Sequence, residues 1–361
     1  MRSTAGPAGE TERGHAIPVP PVKPPRRRTR LSASKKALFT LGTTILLIAL
    51  PEAFCRLVGL GKLQPVAPHV SDWHRTLDGR SFWVLRGSGR NTDGLRDRDH
   101  VVDKPPGVYR IVCLGDSVTE GFGPQDSRVY SRHFEALLRQ AGLPVEVFNI
   151  AVAGWSTLQE TTAYRVIARK YRPDQVFLEF CLNDVAEMHN NLAQPPPVAV
   201  GMLLRHSALF RWLVNAEGRQ VRSVRELFDD PQAAAVRSGW RRVFDELLVL
   251  QRETQLDGCD LSVVIFPFRF QLAPAAPPPI AQRTLVEFCR SHDIPCLDLL
   301  PALEKVGSDA FVDESHLSAV GAKAVAEELV RWGRSGCISC GHDLTGIESD
   351  RCPRCGNAIT R

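Results

Sequence analysis

The chain has 361 residues, of which 43% are hydrophobic and 24% are charged, an ordinary composition for a globular protein. The formal net charge of +5 is concentrated at the start of the chain: residues 1–36 contain nine Lys or Arg and two Asp or Glu, which leaves the remainder with a net charge of −2. Because the main body is not basic, the composition gives no reason to expect a nucleic-acid partner.

The first 36 residues are rich in proline and arginine and show no apolar periodicity. Several prolines precede Arg26-Arg27-Arg28, and a segment of this composition cannot bury a hydrophobic core. We therefore predict that residues 1–36 form a disordered basic tail that sets membrane topology. A solvated tail without such a role is the alternative.

An uncharged apolar stretch, residues 37–50, follows this tail. It is shorter than the ~20 residues that a spanning helix needs. Extension to residue 60 reaches that length and takes in Glu52 and Arg56, which lie four residues apart and can pair on one helix face. We predict an uncleaved transmembrane signal anchor over residues 37–60; a cleaved signal peptide and a buried helix of the globular region are the alternatives.

The distribution of basic residues around this stretch predicts its orientation. Basic residues are abundant before the stretch and few immediately after it, which places the N-terminus in the cytoplasm and the rest of the chain outside it. The chain is thus expected to be a single-pass membrane protein. Residues 61–107 are mixed and glycine-rich, and we interpret them as a linker or N-terminal extension.

From residue 108 onward, short apolar runs alternate with helix-like segments. The predicted strands are Tyr109–Leu114, Val145–Ile150, Gln175–Cys181, Leu261–Pro267 and Pro295–Leu299. The predicted helices are Arg128–Gln140, Thr157–Lys170, Arg237–Leu256, Ile280–His292 and Ser318–Trp332. This alternation predicts a three-layer α/β/α domain over residues 108–333, with a parallel sheet covered on both faces.

Residues 185–236 interrupt the alternation and form a predicted insertion. Three consecutive prolines, residues 195–197, break the chain, and Met202–Val214 has the pattern of an amphipathic helix. The insertion follows the third predicted strand directly, at the edge of the sheet where ligands bind. We therefore expect it to cap a site or to shape a pocket there.

Three polar segments carry candidate chemistry: Gly115–Ser117 and Asn183–Asp184 end predicted strands, and Asp313–His316 lies near the end of the predicted domain. A serine hydroxyl needs a base within hydrogen-bond reach, and the base needs an orienting acceptor. We predict Ser117 as nucleophile, with His316 as base and Asp313 as its orienter. Taken singly, the serine could be a helix cap, the Asn-Asp pair a turn and the histidine a structural loop residue.

These segments resemble the four sequence blocks of the SGNH, or GDSL-type, hydrolase family. The matching blocks are Leu114–Gly121, Asn149–Gly154, Cys181–Asp184 and Asp313–His316. The third block departs from the family pattern, because Cys181 stands where the family has glycine. The resemblance implies the SGNH hydrolase fold, with a flavodoxin-like parallel sheet. No Gly-x-Ser-x-Gly elbow is present, which argues against the α/β-hydrolase fold.

By the same resemblance, the oxyanion hole consists of the backbone N–H groups of Ser117 and Gly154 and the side-chain amide of Asn183. The implied activity is hydrolysis of a small-molecule or glycan ester through an acyl-Ser117 intermediate, with a carbohydrate O-acyl ester as one candidate substrate. Two alternatives remain open from the sequence. One is O-acyl transfer to a sugar, and the other is a non-catalytic carbohydrate-binding or scaffold module.

The last 26 residues, 336–361, contain two Cys-x-x-Cys pairs, each followed by glycine. The four cysteines are Cys337, Cys340, Cys352 and Cys355. This pattern resembles a zinc ribbon and predicts one structural, all-cysteine zinc ion and no catalytic cofactor. Two disulfides are the alternative, since the predicted topology places the pairs in an oxidising compartment. The cysteines elsewhere in the predicted domain lack framework spacing and are expected to be buried thiols.

Overall fold

The computed structural model describes residues 32–61, 73–75, 81–85, 89–122, 128–190, 198–214 and 216–335. The chain divides into two units, Met1–Pro51 and Glu52–Arg361. Most of the predicted basic tail, the three consecutive prolines of the insertion and the whole predicted zinc ribbon lie outside the described residues.

A long apolar helix, α1 (Ala33–Val58), covers most of the predicted anchor. Its most apolar window has a mean hydropathy of 1.8, and only 6% of that window is buried. The helix is therefore long and apolar enough to cross a bilayer, although a signal sequence near the N-terminus has the same properties. The small buried fraction disagrees with the alternative of a core helix.

The second unit contains two sheets among its described residues. β1 (Trp73–Arg75) and β2 (Ser81–Trp83) pair antiparallel. The second sheet is parallel and consists of β3 (Tyr109–Gly115), β4 (Val145–Ala151), β5 (Gln175–Cys181), β6 (Asp260–Phe266) and β7 (Cys296–Asp298). The prediction of a parallel sheet is confirmed, and each predicted strand lies within two residues of the observed bounds.

Helices follow the strands in turn. They are α2 (Ser117–Glu120), α3 (Tyr130–Gln140), α4 (Thr157–Val166), α5 (Asn183–Asn190), α6 (Val198–His206), α7 (Ala208–Val214), α8 (Ala216–Asp229), α9 (Ala234–Leu256), α10 (Ile280–Ser291), α11 (Leu300–Glu304) and α12 (Ala319–Ser335). Short 3₁₀ turns at Ala168–Tyr171, Arg269–Leu272 and Gly307–Ala310 complete the connections.

The strand order of the parallel sheet is β4-β3-β5-β6-β7. In chain order of the five strands this is 2-1-3-4-5, the order of flavodoxin-like doubly wound sheets. The direction of winding reverses between β3 and β5, and ligands bind beyond the carboxyl ends of the strands at such a point. Ser117 follows β3 and Asn183 follows β5, so both candidate residues lie at this position.

Helices cover both faces of the sheet, and strand β5 shows how its side chains divide between them. Phe177 contacts Phe134 of α3 and Trp332 of α12. Phe180, three residues along the strand, contacts Trp240 of α9 instead. Because successive strand residues point to opposite faces, these contacts assign α3 and α12 to one layer and α9 to the other.

The insertion differs from its prediction as a single helix over Met202–Val214. Helix α6 ends and α7 begins around Ser207. The carboxylate of Glu52 accepts the Ser207 hydroxyl at 2.8 Å and the N–H groups of Ala208 and Leu209 at 2.9 Å. A carboxylate at this position satisfies donors that a continuous helix would use internally, and it favours a new N-terminus there.

The hydrophobic core also includes residues that precede the predicted domain. Phe82, Trp83 and Leu95 are buried in the same cluster as strands β3 to β6. The indole N–H of Trp155 donates to the carbonyl of Trp83 at 3.0 Å. Part of the segment 61–107, interpreted from sequence as a linker or extension, therefore packs into the domain that follows it.

Candidate active site

Ser117 lies at the tight connection between strand β3 and helix α2. Asp116 is the N-cap of α2, and its Oδ1 accepts the N–H of Val118 at 2.8 Å. Val118 and Thr119 are buried, whereas Ser117 remains partly exposed. The short connection thus presents the Ser117 hydroxyl at the carboxyl edge of the sheet.

Asp313 and His316 lie in a loop closed by an antiparallel bridge between Phe311 and Leu317. Asp313 Oδ1 accepts the backbone N–H of Ser315 at 3.0 Å and that of His316 at 2.8 Å. Its Oδ2 lies 2.7 Å from Nδ1 of His316. One carboxylate therefore fixes both the loop and the imidazole ring, which a spacing of three residues allows.

The loop places the side chain of His316 beside that of Ser117. Nε2 of His316 lies 2.8 Å from Oγ of Ser117, although the two residues are 199 positions apart in sequence. His316 is buried, and the Phe122 ring lies 4.9 Å from its imidazole, centroid to centroid. Hydroxyl, imidazole and carboxylate are thus joined in one series, the arrangement that activates a serine nucleophile.

The Asp313 carboxyl has a pKa below its usual range. Burial acts to raise this pKa, but the hydrogen bonds from the His316 ring and from the backbone N–H groups of His316 and Ser315 outweigh it. Asp313 is therefore ionised at neutral pH, and its charge favours the tautomer of His316 that carries a proton on Nδ1.

Gly154 follows strand β4 in a turn and has a left-handed backbone, with φ of +84°. This conformation favours glycine. The preceding residue, Ala153, donates its N–H to Oε2 of Glu120 at 2.6 Å, which ties the turn to helix α2. Within the part of the chain that the structure describes, the N–H groups of Ser117 and Gly154 have no hydrogen-bond acceptor. Both are free to donate to a ligand.

Asn183 begins helix α5 and is 2% exposed. Its Nδ2 donates to Oδ2 of Asp116 at 3.0 Å and to Oε1 of Glu187 at 3.1 Å. An amide nitrogen carries two hydrogens, so both are engaged with protein carboxyl groups. The structure therefore places Asn183 beside the Ser117 turn, and donation to an oxyanion requires one of these two bonds to open.

Buried carboxyl groups surround this part of the site: Asp116, Glu160, Glu179, Asp184 and Glu187. Burial, reinforced by the neighbouring acids, raises the pKa values of Glu160, Glu179 and Asp184 well above their usual range. Burial also raises the pKa of Glu187 to about 8. Most of these groups are therefore neutral acids near pH 7, because several uncompensated charges cannot share a dry interior.

Cys181 stands where the family pattern has glycine, and this difference removes no polar group from the site. Cys181 is buried at the end of β5, and burial raises the pKa of its thiol well above the usual range. Ligand atoms of Cys181, Asp116 and Glu179 lie within 4.8 Å of one another. Both carboxyl oxygens of Asp116 and Oε2 of Glu179 accept hydrogen bonds from the protein, whereas Oε1 of Glu179 has no partner among the described residues.

The predicted zinc ligands Cys337, Cys340, Cys352 and Cys355 lie outside the described residues. Cys113, Cys181, Cys259 and Cys289 are free and buried, as expected from sequence, and Cys296 is free and half-buried.

Several residues around the site were not identified from the sequence. Glu120 and Glu187 lie one helical turn after Ser117 and Asn183, and Trp83 precedes the predicted domain. Glu179 interrupts an otherwise apolar strand, and a lone acid within a buried strand is a signal that marks a special environment. The other contacts arise from tertiary structure and have no comparable signal in the sequence.

The serine–histidine–aspartate arrangement at the switch point of a parallel sheet, together with the family match, identifies the chain as an enzyme that hydrolyses ester bonds. The chain belongs to the GDSL-like lipase/acylhydrolase family, whose model matches residues 113–324. That match includes Ser117, Gly154, Asn183, Asp313 and His316, so it spans every candidate residue of the site.

Solved structures of the same type are similar to this chain. One is the acetylxylan esterase Axe2 from Geobacillus stearothermophilus, with 15% identity, a TM-score of 0.42 and coverage of 62% of this chain and 93% of that chain. Another is a lipase/acylhydrolase from Enterococcus faecalis, with 18% identity, a TM-score of 0.40 and coverage of 62% and 94%. Similarities at this level of identity and TM-score carry no information about the substrate of this chain. A comparison with curated proteins finds no match.

Proposed function

We propose that the chain is a membrane-anchored serine esterase that cleaves an acyl ester through an acyl-Ser117 intermediate. The observation that carries this proposal is the bonded series from Ser117 Oγ to His316 Nε2 and from His316 Nδ1 to Asp313 Oδ2, at 2.8 and 2.7 Å. Both distances lie within the range in which a base can take a proton from a nucleophile.

The proposed reaction has two halves. His316 takes the proton of Ser117 as Oγ attacks the ester carbonyl, and it then gives this proton to the departing alcohol. In the second half, His316 takes a proton from water, the hydroxide oxygen attacks the acyl carbon, and Ser117 recovers its proton as the carboxylic acid leaves. Asp313 stabilises the imidazolium that forms in each half.

The developing oxyanion needs donors that are already in place. The free N–H groups of Ser117 and Gly154 support this role, and Asn183 is the third proposed donor. Gln220 of α8 lies 3.4 Å from Oε1 of Glu187, the same oxygen that accepts from Asn183. This contact supports a role for the insertion in shaping the acyl pocket.

Helix α1 supports the proposed anchor, and the basic residues before it support a cytoplasmic N-terminus with the esterase domain on the far side of the membrane. The proposed substrate is a small-molecule or glycan ester. We further propose that residues 336–361 bind one structural zinc ion through Cys337, Cys340, Cys352 and Cys355, with no part in the chemistry.

The test is covalent labelling of the full chain with a fluorophosphonate probe, followed by turnover of a panel of short-chain esters and acetylated sugars. We expect stoichiometric labelling, its loss in Ser117→Ala, and a fall in turnover of about 10³-fold or more. Ser291→Ala, which removes a surface hydroxyl at the end of α10, is the matched control and should react like the wild type. Labelling that persists in a folded Ser117→Ala protein contradicts the proposed mechanism.

A further inference from the structure

Glu179 occupies the middle of the buried strand β5 and reaches the turn that carries Ser117. Its Oε2 accepts the backbone N–H of Asp116 and the hydroxyl of Thr119, each at 3.0 Å. Asp116 immediately precedes Ser117, and Thr119 is two residues after it. One carboxyl oxygen therefore fixes both sides of the proposed nucleophile to the neighbouring strand.

The close approach of Glu179 explains the glycine before Asp116. A Cβ atom on Gly115 would overlap with Oε2 and Cβ of Glu179 and would lie 2.6 Å from Oγ1 of Thr119. The absence of a side chain at residue 115 leaves the space that the Glu179 carboxyl group fills. The two residues are thus complementary in shape.

Asp116 extends this contact to the amide of Asn183. While its N–H donates to Glu179, its carboxyl group accepts from Asn183 Nδ2 at 3.0 Å. The series Glu179–Asp116–Asn183 therefore joins the proposed nucleophile turn to the proposed oxyanion amide.

The chemistry of Glu179 in this setting is that of a neutral acid. Burial, and next the charge of Asp116, raise its pKa well above the usual range. Burial also raises the pKa values of the other titratable groups in this cluster, which are Glu160, Cys181, Asp184, Glu187 and Tyr130. Among the described residues, no lysine or arginine forms an ion pair with Glu179. A neutral acid can still accept from the Asp116 N–H and the Thr119 hydroxyl through Oε2, while Oε1 has no hydrogen-bond partner among the described residues.

We propose that Glu179 is a positioning residue for acyl transfer: its carboxyl group fixes the turn that presents Ser117 and, through Asp116, orients the amide of Asn183. This inference rests on the proposed esterase function, since it assigns the geometry of that same site. It concerns a residue that touches neither substrate nor reacting atoms. We therefore expect replacement of Glu179 to change kcat rather than KM.

The decisive variants differ in hydrogen bonding and little in size. Glu179→Gln keeps one acceptor and one donor in the same places, so we expect kcat within about threefold of the wild type. Glu179→Met fills similar volume without these bonds, and we expect kcat to fall about 10²-fold with little change in KM, the loss that a displacement near 1 Å produces. Where the Met variant unfolds, Glu179→Asp, one methylene shorter, replaces it with the same expectation.

The matched control is Glu160, a buried acid of α4 whose two oxygens have no hydrogen-bond partner in the described part of the chain. Glu160→Gln and Glu160→Met remove a buried carboxyl group of the same cluster without touching the Ser117 turn. We expect kcat of both to stay within about threefold of the wild type, whatever their thermal stability.

The experiment uses the full chain, with kcat and KM for a short-chain ester, the active fraction from fluorophosphonate titration, and folding from thermal unfolding. A folded Glu179→Met protein with wild-type kcat overturns the inference. So does a Glu179→Gln protein as slow as the Met variant, because the role would then need a charged carboxylate. Wild-type protein that neither labels at Ser117 nor turns over any ester overturns the esterase proposal itself, and the inference with it.

Discussion

The Nδ2 atom of Asn183 lies 3.1 Å from Oε1 of Glu187 and 3.0 Å from Oδ2 of Asp116, so the amide is held by two carboxyl groups at once. This arrangement holds the amide in place before any substrate arrives, but both of its hydrogens are then engaged by carboxyl groups. In the proposed role of Asn183, the developing oxyanion would therefore compete with Glu187 for one hydrogen, since the bond to Asp116 belongs to the turn that carries Ser117.

Replacement of Asn183 by alanine tests its proposed role. We expect kcat to fall by about 10²–10³-fold with little change in KM, because the bond to the oxyanion exists only in the transition state. Steady-state kinetics on a short-chain ester measure both constants. A change confined to KM would make Asn183 a substrate-binding residue instead.

The Asp313–His316 pair predicts an order of effects. We expect His316→Ala to lower kcat at least as much as Asp313→Asn, since the first removes the base and the second only its orientation. Because the pKa of Asp313 lies below its usual range, the carboxylate stays charged as the pH is lowered from neutral. A loss of activity on acidification should therefore come from a group other than Asp313. Rates that do not change between acidic and neutral pH would remove His316 from the mechanism.

The neutral buried acids predict that stability falls as the pH rises. The pKa of Glu187 is raised from 4.5 to about 8, so between these values the folded state keeps a proton that the unfolded chain loses. The free energy of unfolding therefore decreases with pH across this window, by up to about 1.4 kcal/mol per pH unit for one proton. Glu160, Glu179 and Asp184 act in the same direction.

Thermal unfolding between pH 5 and 8 measures this dependence. Glu187→Gln should weaken it, because glutamine has no proton to lose while its side-chain oxygen still accepts from Asn183. Glu287→Gln, at a surface position of α10, is the matched control and should leave the dependence unchanged. Equal slopes for the wild type and Glu187→Gln would contradict the assignment of a neutral acid.

The C-terminal cysteines predict one zinc ion per chain. Four thiolates from Cys337, Cys340, Cys352 and Cys355 saturate a tetrahedral ion, which leaves no position for an activated water. Elemental analysis of the purified protein should give one equivalent of zinc, and its removal by a chelator should leave ester turnover within about twofold. A metal-free ribbon with two disulfides would refute the zinc assignment.

The anchor predicts both membrane association and orientation. Protease added to the extracytoplasmic face of intact membranes should digest the esterase domain and leave the cytoplasmic tail, because the basic residues before helix α1 stay inside. Full protection of the domain, with the protein still membrane-bound, would reverse the orientation. Recovery of a shortened chain that lacks helix α1, free of membranes, would point to a cleaved signal sequence.

The sequence was sufficient for the architecture of the domain. Strand β5, predicted as Gln175–Cys181, has these bounds in the structure, and the parallel sheet follows from the alternation of apolar runs and helices. These features depend on local periodicity and on the rule that apolar strands must be covered on both faces. The family could also be predicted from the sequence, because the four sequence blocks typical of it occur in the expected order along the chain.

The tertiary structure alone decided how the polar groups meet. The 2.8 Å contact between His316 and Ser117 joins residues 199 positions apart, and the carboxyl group of Glu179 reaches Asp116 from another strand. Nor does the sequence say that Glu187 competes for the amide of Asn183, or that Glu52 divides α6 from α7. Periodicity specifies which face of an element is buried, whereas these contacts depend on strand order, helix placement and the low dielectric of the interior, which appear only when the chain is folded.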